Sequence, residues 1–84
     1  MNKIIPPRLR WACRRGMLEL DLLLTHFLEE TFLTLSEEDR ALFIQLLEEN
    51  DQDLFLWLTG KEVSKNQRLN LMIEKIRYHA EHRH

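Results

Sequence analysis

From Leu18 to Ile76 apolar residues recur at intervals of three and four, and only two glycines and two prolines interrupt the 84 residues. That spacing lines one face of a helix, because 3.6 residues make a turn; a half-buried strand would alternate its apolar residues instead. A many-stranded fold would also need more turn residues than this chain carries. The expected fold class is therefore all-α, a compact bundle of about five helices. It forms a single domain over residues 1–84, with flexible ends at about 1–5 and 80–84.

The elements follow from local chemistry. Pro6 and Pro7 suit a first helical turn, which has no use for their missing amide hydrogens, so one helix is expected over about Pro7 to Arg15. Leu9, Ala12 and Cys13 face inward on it, while Arg8, Trp11 and Arg15 share another face. Trp11 among arginines reads equally as core packing or as an anchor for a partner, since Trp and Arg carry much of the energy of interfaces. Arg14 and Arg15 suit a last helical turn, Gly16 the left-handed position after it, and Glu19 the first turn of the next helix. Local helix physics by itself accounts for all of these residue types.

A second helix is expected from Leu18 to Leu33, burying Leu20, Leu24, Phe27 and Leu28 and turning Glu19, His26 and Glu30 to water. As the longest apolar element it should be the central one. Ser36 followed by Glu37, Glu38 and Asp39 reads as an N-cap with an acidic first turn, opening a third helix to about Glu49. The run Asn50-Asp51-Gln52-Asp53 breaks and recaps the chain. A short fourth helix, Leu54 to Leu58, ends at Thr59-Gly60 and should place Trp57 mainly in the core. After a polar connection, Leu69, Met72, Ile73 and Ile76 mark a last helix that begins near Gln67.

The net charge of −2 conceals three zones: residues 1–18 carry +5, residues 19–58 carry −10, and residues 59–84 carry +3. A basic end can meet phosphate or an acidic protein, but the acidic middle repels nucleic acid, so no nucleic-acid partner is expected. Cys13 is the only cysteine, which excludes a disulfide framework and a cysteine-based zinc site. Its position suits a buried small hydrophobe. The opening residues lack the apolar run of a secretory signal, and no stretch reaches the roughly 20 apolar residues of a membrane span. A cytoplasmic protein without membrane insertion is expected.

Catalytic signatures are missing as well. There is no Gly-rich phosphate loop, no HExxH and no nucleophile elbow, and His26 has no histidine or cysteine at i+3 or i+4. His79, His82 and His84 lie in a tail too exposed to make a metal site, so no metal is expected. The chain reads as a binding surface and not as an enzyme.

Arg8, Trp11, Arg14-Arg15-Gly16, Glu19 and Asp21, with Ser36-Glu37-Glu38 and the block Asp51-Gln52-Asp53-Leu54-Phe55-Leu56-Trp57-Leu58-Thr59-Gly60, resemble the SdhE family. Those proteins are small assembly factors for the flavoprotein subunit of succinate dehydrogenase. The resemblance spans residues 8–60 and implies a chaperone-like protein that binds this flavoprotein subunit, and possibly that of fumarate reductase. It would promote covalent attachment of FAD to a histidine of the partner, while itself holding no cofactor stably. It implies a partner-binding face of Arg15, Gly16 and Glu19 with Arg14, Arg8 and Trp11 beside them, and no catalytic residue. Arg15 would offer a fork of donors, Gly16 a close backbone approach, and Glu19 an acceptor. A regulatory binding module, such as an antitoxin or a DNA-associated regulator, is the alternative.

Overall fold

In the computed structural model, which describes residues 4–83, five α-helices follow one another without a strand among those residues. They are α1 (Pro7–Ala12), α2 (Leu18–Thr31), α3 (Glu37–Leu46), α4 (Asp51–Leu58) and α5 (Gln67–Glu81), with a 3-10 turn, Phe32–Thr34, after α2. The radius of gyration is 12.0 Å. A compact single domain of this length is expected at about 12 Å.

Capping sets most of the boundaries. Ser36 accepts from the Asp39 amide and opens α3, and Asn50 accepts from Asp53 and opens α4. Asn66 takes the amides of Arg68 and Leu69 and opens α5. Because Asn50 is the cap, α4 begins at Asp51, earlier than the Leu54 expected from sequence, and Asp51 and Asp53 both enter its first turn. The Thr31 hydroxyl donates to Phe27 O, while the Arg40 guanidinium donates to the carbonyls of Phe32 and Leu33 and lies over the Phe32 ring. Those contacts tighten the chain into the 3-10 turn, so α2 stops at Thr31, before Leu33.

Leu20, Leu24, Phe27 and Leu28 of α2 are buried, as are Leu42, Phe43 and Leu46 of α3 and Leu69, Met72, Ile73 and Ile76 of α5. Each such side chain withdrawn from water contributes about 1.5–3 kcal/mol. Phe43 sits at the centre, its ring 5.4 Å from that of Phe27 and 6.1 Å from that of Phe32. Trp57 lies in the core, as expected. The centrality expected of α2 is shared, because α5 packs against α2, α3 and α4, whereas α2 packs against α4 and α5.

Two contacts near the ends of the described residues follow from side-chain chemistry. Ile5, ahead of α1, is 4% exposed and joins the core that contains Leu9. At the other end Glu30 of α2 accepts from Arg83 at 2.9 Å and pairs with His79 at 2.8 Å. Local desolvation pushes the exposed Glu30 carboxyl up, but the hydrogen bonds from Arg83 and His79 outweigh it and hold the group below its usual value. Of the histidine tail, His82 stacks on Tyr78, and His84 lies outside the described residues.

Candidate docking site at the first corner

Helix α1 stops at Ala12, three residues short of the expected Arg15, and the chain turns through residues 13–17 before α2. Cys13 closes α1 and is fully buried, and that burial pushes its thiol up to about 12, against the pull of Arg15. It is a packing residue with no accessible nucleophile.

Arg15 does not reach outward. Its side chain is only 13% exposed. Nε donates to Asp51 Oδ1 at 2.7 Å, Nη1 to Ala12 O at 2.7 Å and Leu47 O at 3.0 Å, and Nη2 to Glu49 O at 2.7 Å. One guanidinium therefore ties the end of α1, the end of α3 and the start of α4 together. It suits that place because carbonyls past a helix C-terminus lack intrahelical partners and attract a cation, and because the planar fork serves several acceptors at once. The solvent-exposed Arg15 expected from sequence is thus corrected: those donors are spent inside the chain.

Two carboxylates hold the corner's backbone. Asp21, in the first turn of α2, accepts from the Arg15 amide, and Asp51 Oδ2 accepts from the Gly16 amide at 3.3 Å. The Arg15 hydrogen bond and then the Gly16 amide hold the Asp51 carboxyl below its usual value, against a smaller effect of desolvation.

Gly16 does not adopt the left-handed conformation expected of it; among the described residues the positive φ belongs to Gly60, at 81°. The left-handed position is not required at Gly16 because α1 has already ended, with Cys13 in right-handed geometry as its cap. A Cβ on Gly16 would meet nothing nearer than Asp51 Oδ2 at 4.0 Å, so its outer side is open.

The remaining candidates lie on the outside. Trp11 is 75% exposed and Leu18 74%, so the ambiguity of Trp11 resolves against core packing. Arg8, Arg14, Gly16 and Glu19 are exposed as well. They do not converge on one pocket. Arg8 edges a groove of about 880 Å³ walled by α1, the 3-10 turn and α3, with Leu9, Phe32 and Ile44 in its lining. Glu19 edges a hollow of about 220 Å³ between α2 and the end of α5, with Leu22, His26 and Arg83. The corner itself, residues 13–17, lies between α1 and α2 and lines neither of these two hollows.

Asp51 is the residue whose importance the sequence concealed. Its place at a helix start explains an acid there locally, and only the fold brings it to Arg15, 36 positions earlier.

Residues 7–80 match the family model described as flavinator of succinate dehydrogenase. The chain is 49% identical over 73 residues to the FAD assembly factor SdhE of Shewanella oneidensis, covering 87% of this chain and 89% of that protein. It is 50% identical over 72 residues to the FAD assembly factor SdhE of Vibrio vulnificus, covering 86% and 84% respectively. Among solved structures, the solution structure of a UPF0350 protein is similar at a TM-score of 0.73 and 46% identity, over 88% of this chain and 79% of that one. With a match of that length and relatives at that identity, the chain belongs to the succinate dehydrogenase flavinator family.

Proposed function

We propose that the protein is an FAD assembly factor that docks on the flavoprotein subunit of succinate dehydrogenase and promotes covalent attachment of FAD to it. The observation that carries this reading is that Trp11, Arg14, Gly16 and Glu19 are all exposed while Arg15 braces the turn between α1 and α2 from inside, in a chain of this family. The flavoprotein subunit of fumarate reductase is a second partner of the same kind, and the cytoplasm is the compartment in which the two would meet.

The division of labour follows from the chemistry of the face. Gly16 admits a partner backbone that any side chain would push away, Glu19 accepts from partner amides or a basic side chain, and Trp11 buries a large amphipathic ring. Arg15 contributes from inside by fixing the corner. Docking then holds the flavoprotein in the arrangement that favours bond formation between flavin and histidine, and the partner's own residues supply the reacting groups. A polar, charge-bearing face of this kind binds specifically yet releases, as an assembly step demands.

In cells lacking the native factor, the wild-type chain should restore in-gel fluorescence of flavin bound covalently to the flavoprotein subunit. Gly16→Arg and Glu19→Ala should not, although both keep a helical circular dichroism spectrum. Normal fluorescence with both variants would overturn the reading.

A further inference from the structure

The two oxygens of Asp51 are divided between two successive residues of the corner: Oδ1 takes the Arg15 side chain and Oδ2 the Gly16 amide. Asp21 takes the amide of Arg15 from the other side. Consecutive amides are thus held by carboxylates that come from the first turns of two different helices, α2 and α4. Glycine has the greatest backbone freedom of any residue, and neither a left-handed φ nor crowding where a Cβ would sit fixes Gly16. Without an external hold, docking a partner on this residue would have to order it first, at the expense of affinity.

We infer that Asp51 is a positioning residue for docking: it presets the Gly16 backbone and the Arg15 brace, so that the exposed corner meets the flavoprotein already ordered. This rests on the reading of the corner as the docking face. Asp51 acts through Gly16 and Arg15 and makes no partner contact of its own. An asparagine cannot replace it, because both of its neighbours are donors and the side-chain amide has one acceptor oxygen where the carboxylate has two.

The test uses the full chain and the purified flavoprotein subunit of succinate dehydrogenase, with affinity measured by calorimetry and the free protein followed by amide NMR. Asp51→Asn should shift the Gly16 amide resonance and speed its hydrogen exchange in the free protein. Affinity should fall by about tenfold, because apparent affinity drops in proportion to the fraction of free protein whose corner is already ordered. Ile73→Val, a core change far from the corner in sequence, serves as the stability control and should bind as wild type does. Weakened binding with an undisturbed Gly16 amide would make Asp51 a direct contact and overturn the inference. So would a freed amide with unchanged affinity, or an equal loss in Ile73→Val. If Asp51→Asn does not fold, Asp51→Glu carries the test: the longer carboxylate should displace the Gly16 resonance and weaken binding, and wild-type affinity with a displaced resonance would refute the idea. Gly16→Arg separates the two levels. Its normal binding would remove the docking face itself, whereas its failure beside a normal Asp51→Asn would remove only the role of Asp51.

Discussion

The chain's two glycines stand at two corners, and they are there for opposite reasons. Gly60 follows α4 with φ at 81°; its amide donates to Trp57 O at 3.1 Å and that of Lys61 to Leu56 O at 2.8 Å. This is the pair of backbone bonds that closes a helix through a left-handed residue, a conformation costly for any side chain. Gly16 follows α1 without a left-handed φ and with open space where a Cβ would go. Its corner is closed instead by side chains, Arg15 and Asp51 above all. One glycine is required by the backbone. Nothing among the described residues requires the other, which leaves room for a partner there.

The largest effect should come from removing what holds the Gly16 corner. Arg15→Ala deletes four hydrogen bonds and leaves the carbonyls of Ala12, Leu47 and Glu49 and the carboxylate of Asp51 without that donor. With bonds to a charged group at roughly 1.5–3 kcal/mol each and partial replacement by water, the net loss should be roughly 3 kcal/mol. Urea unfolding at constant slope measures it. A loss below about 0.5 kcal/mol, the usual range of a surface change, would show that Arg15 faces solvent after all.

Arg15 also marks the limit of what the sequence discloses. The helices were legible because the periods at Leu20 to Leu28 and Leu69 to Ile76, and the caps at Ser36 and the Gly60 stop, are local signals that the fold obeys. The corner was legible as a place and misread in its parts. A basic pair followed by glycine looks like a helix end with a left-handed glycine, but α1 ends at Ala12, and Arg15 is claimed by acceptors 32 to 36 positions away. No local pattern announces such a bond. The same holds for Glu30, whose pairing with His79 and Arg83 across 49 and 53 positions keeps an apparently loose tail on α2.

The second effect tests the other corner. Gly60→Ala should cost about 1–2 kcal/mol, since alanine must enter the left-handed region. The added Cβ would also meet Arg77 Nη2 at 2.6 Å, but that is the far end of a flexible side chain, which can swing away. The midpoint of thermal unfolding should fall while flavinylation in cells persists. Lost flavinylation at an unchanged midpoint would make Gly60 a docking residue and erase the distinction between the corners.

Acid should separate them next. The Asp51 carboxyl is held below its usual value by Arg15 first and by the Gly16 amide second. A depressed folded-state value means that the unfolded chain takes up the proton first. The stability from this link is therefore complete above about pH 4 and drains away as pH falls through the lower folded value. The bonds that close the Gly60 corner run from backbone to backbone and do not titrate. Followed by NMR on the acid side of about pH 4, the Gly16 amide should move with the Asp51 titration while the Gly60 amide stays still. Movement of Gly60 and not Gly16 would dissolve the link between Asp51 and the first corner.

The smallest effect on stability sharpens the comparison most. Gly16→Ala adds one methyl group to a residue that is exposed, outside the left-handed region and clear of neighbours to 4.0 Å. Such a change restricts the unfolded chain more than it strains the folded one, so stability should stay level or rise by up to about 1 kcal/mol. The same methyl projects toward the space that a docked backbone would occupy. Binding to the flavoprotein subunit should therefore weaken, and less than in Gly16→Arg, because one carbon displaces a partner less than a long charged side chain does. The ordering of the three side chains in a calorimetric titration, glycine tightest and arginine weakest, checks this against a thermal midpoint that barely moves between glycine and alanine. A midpoint that drops as far as in Gly60→Ala would mean that the fold, and not the partner, needs a glycine at position 16.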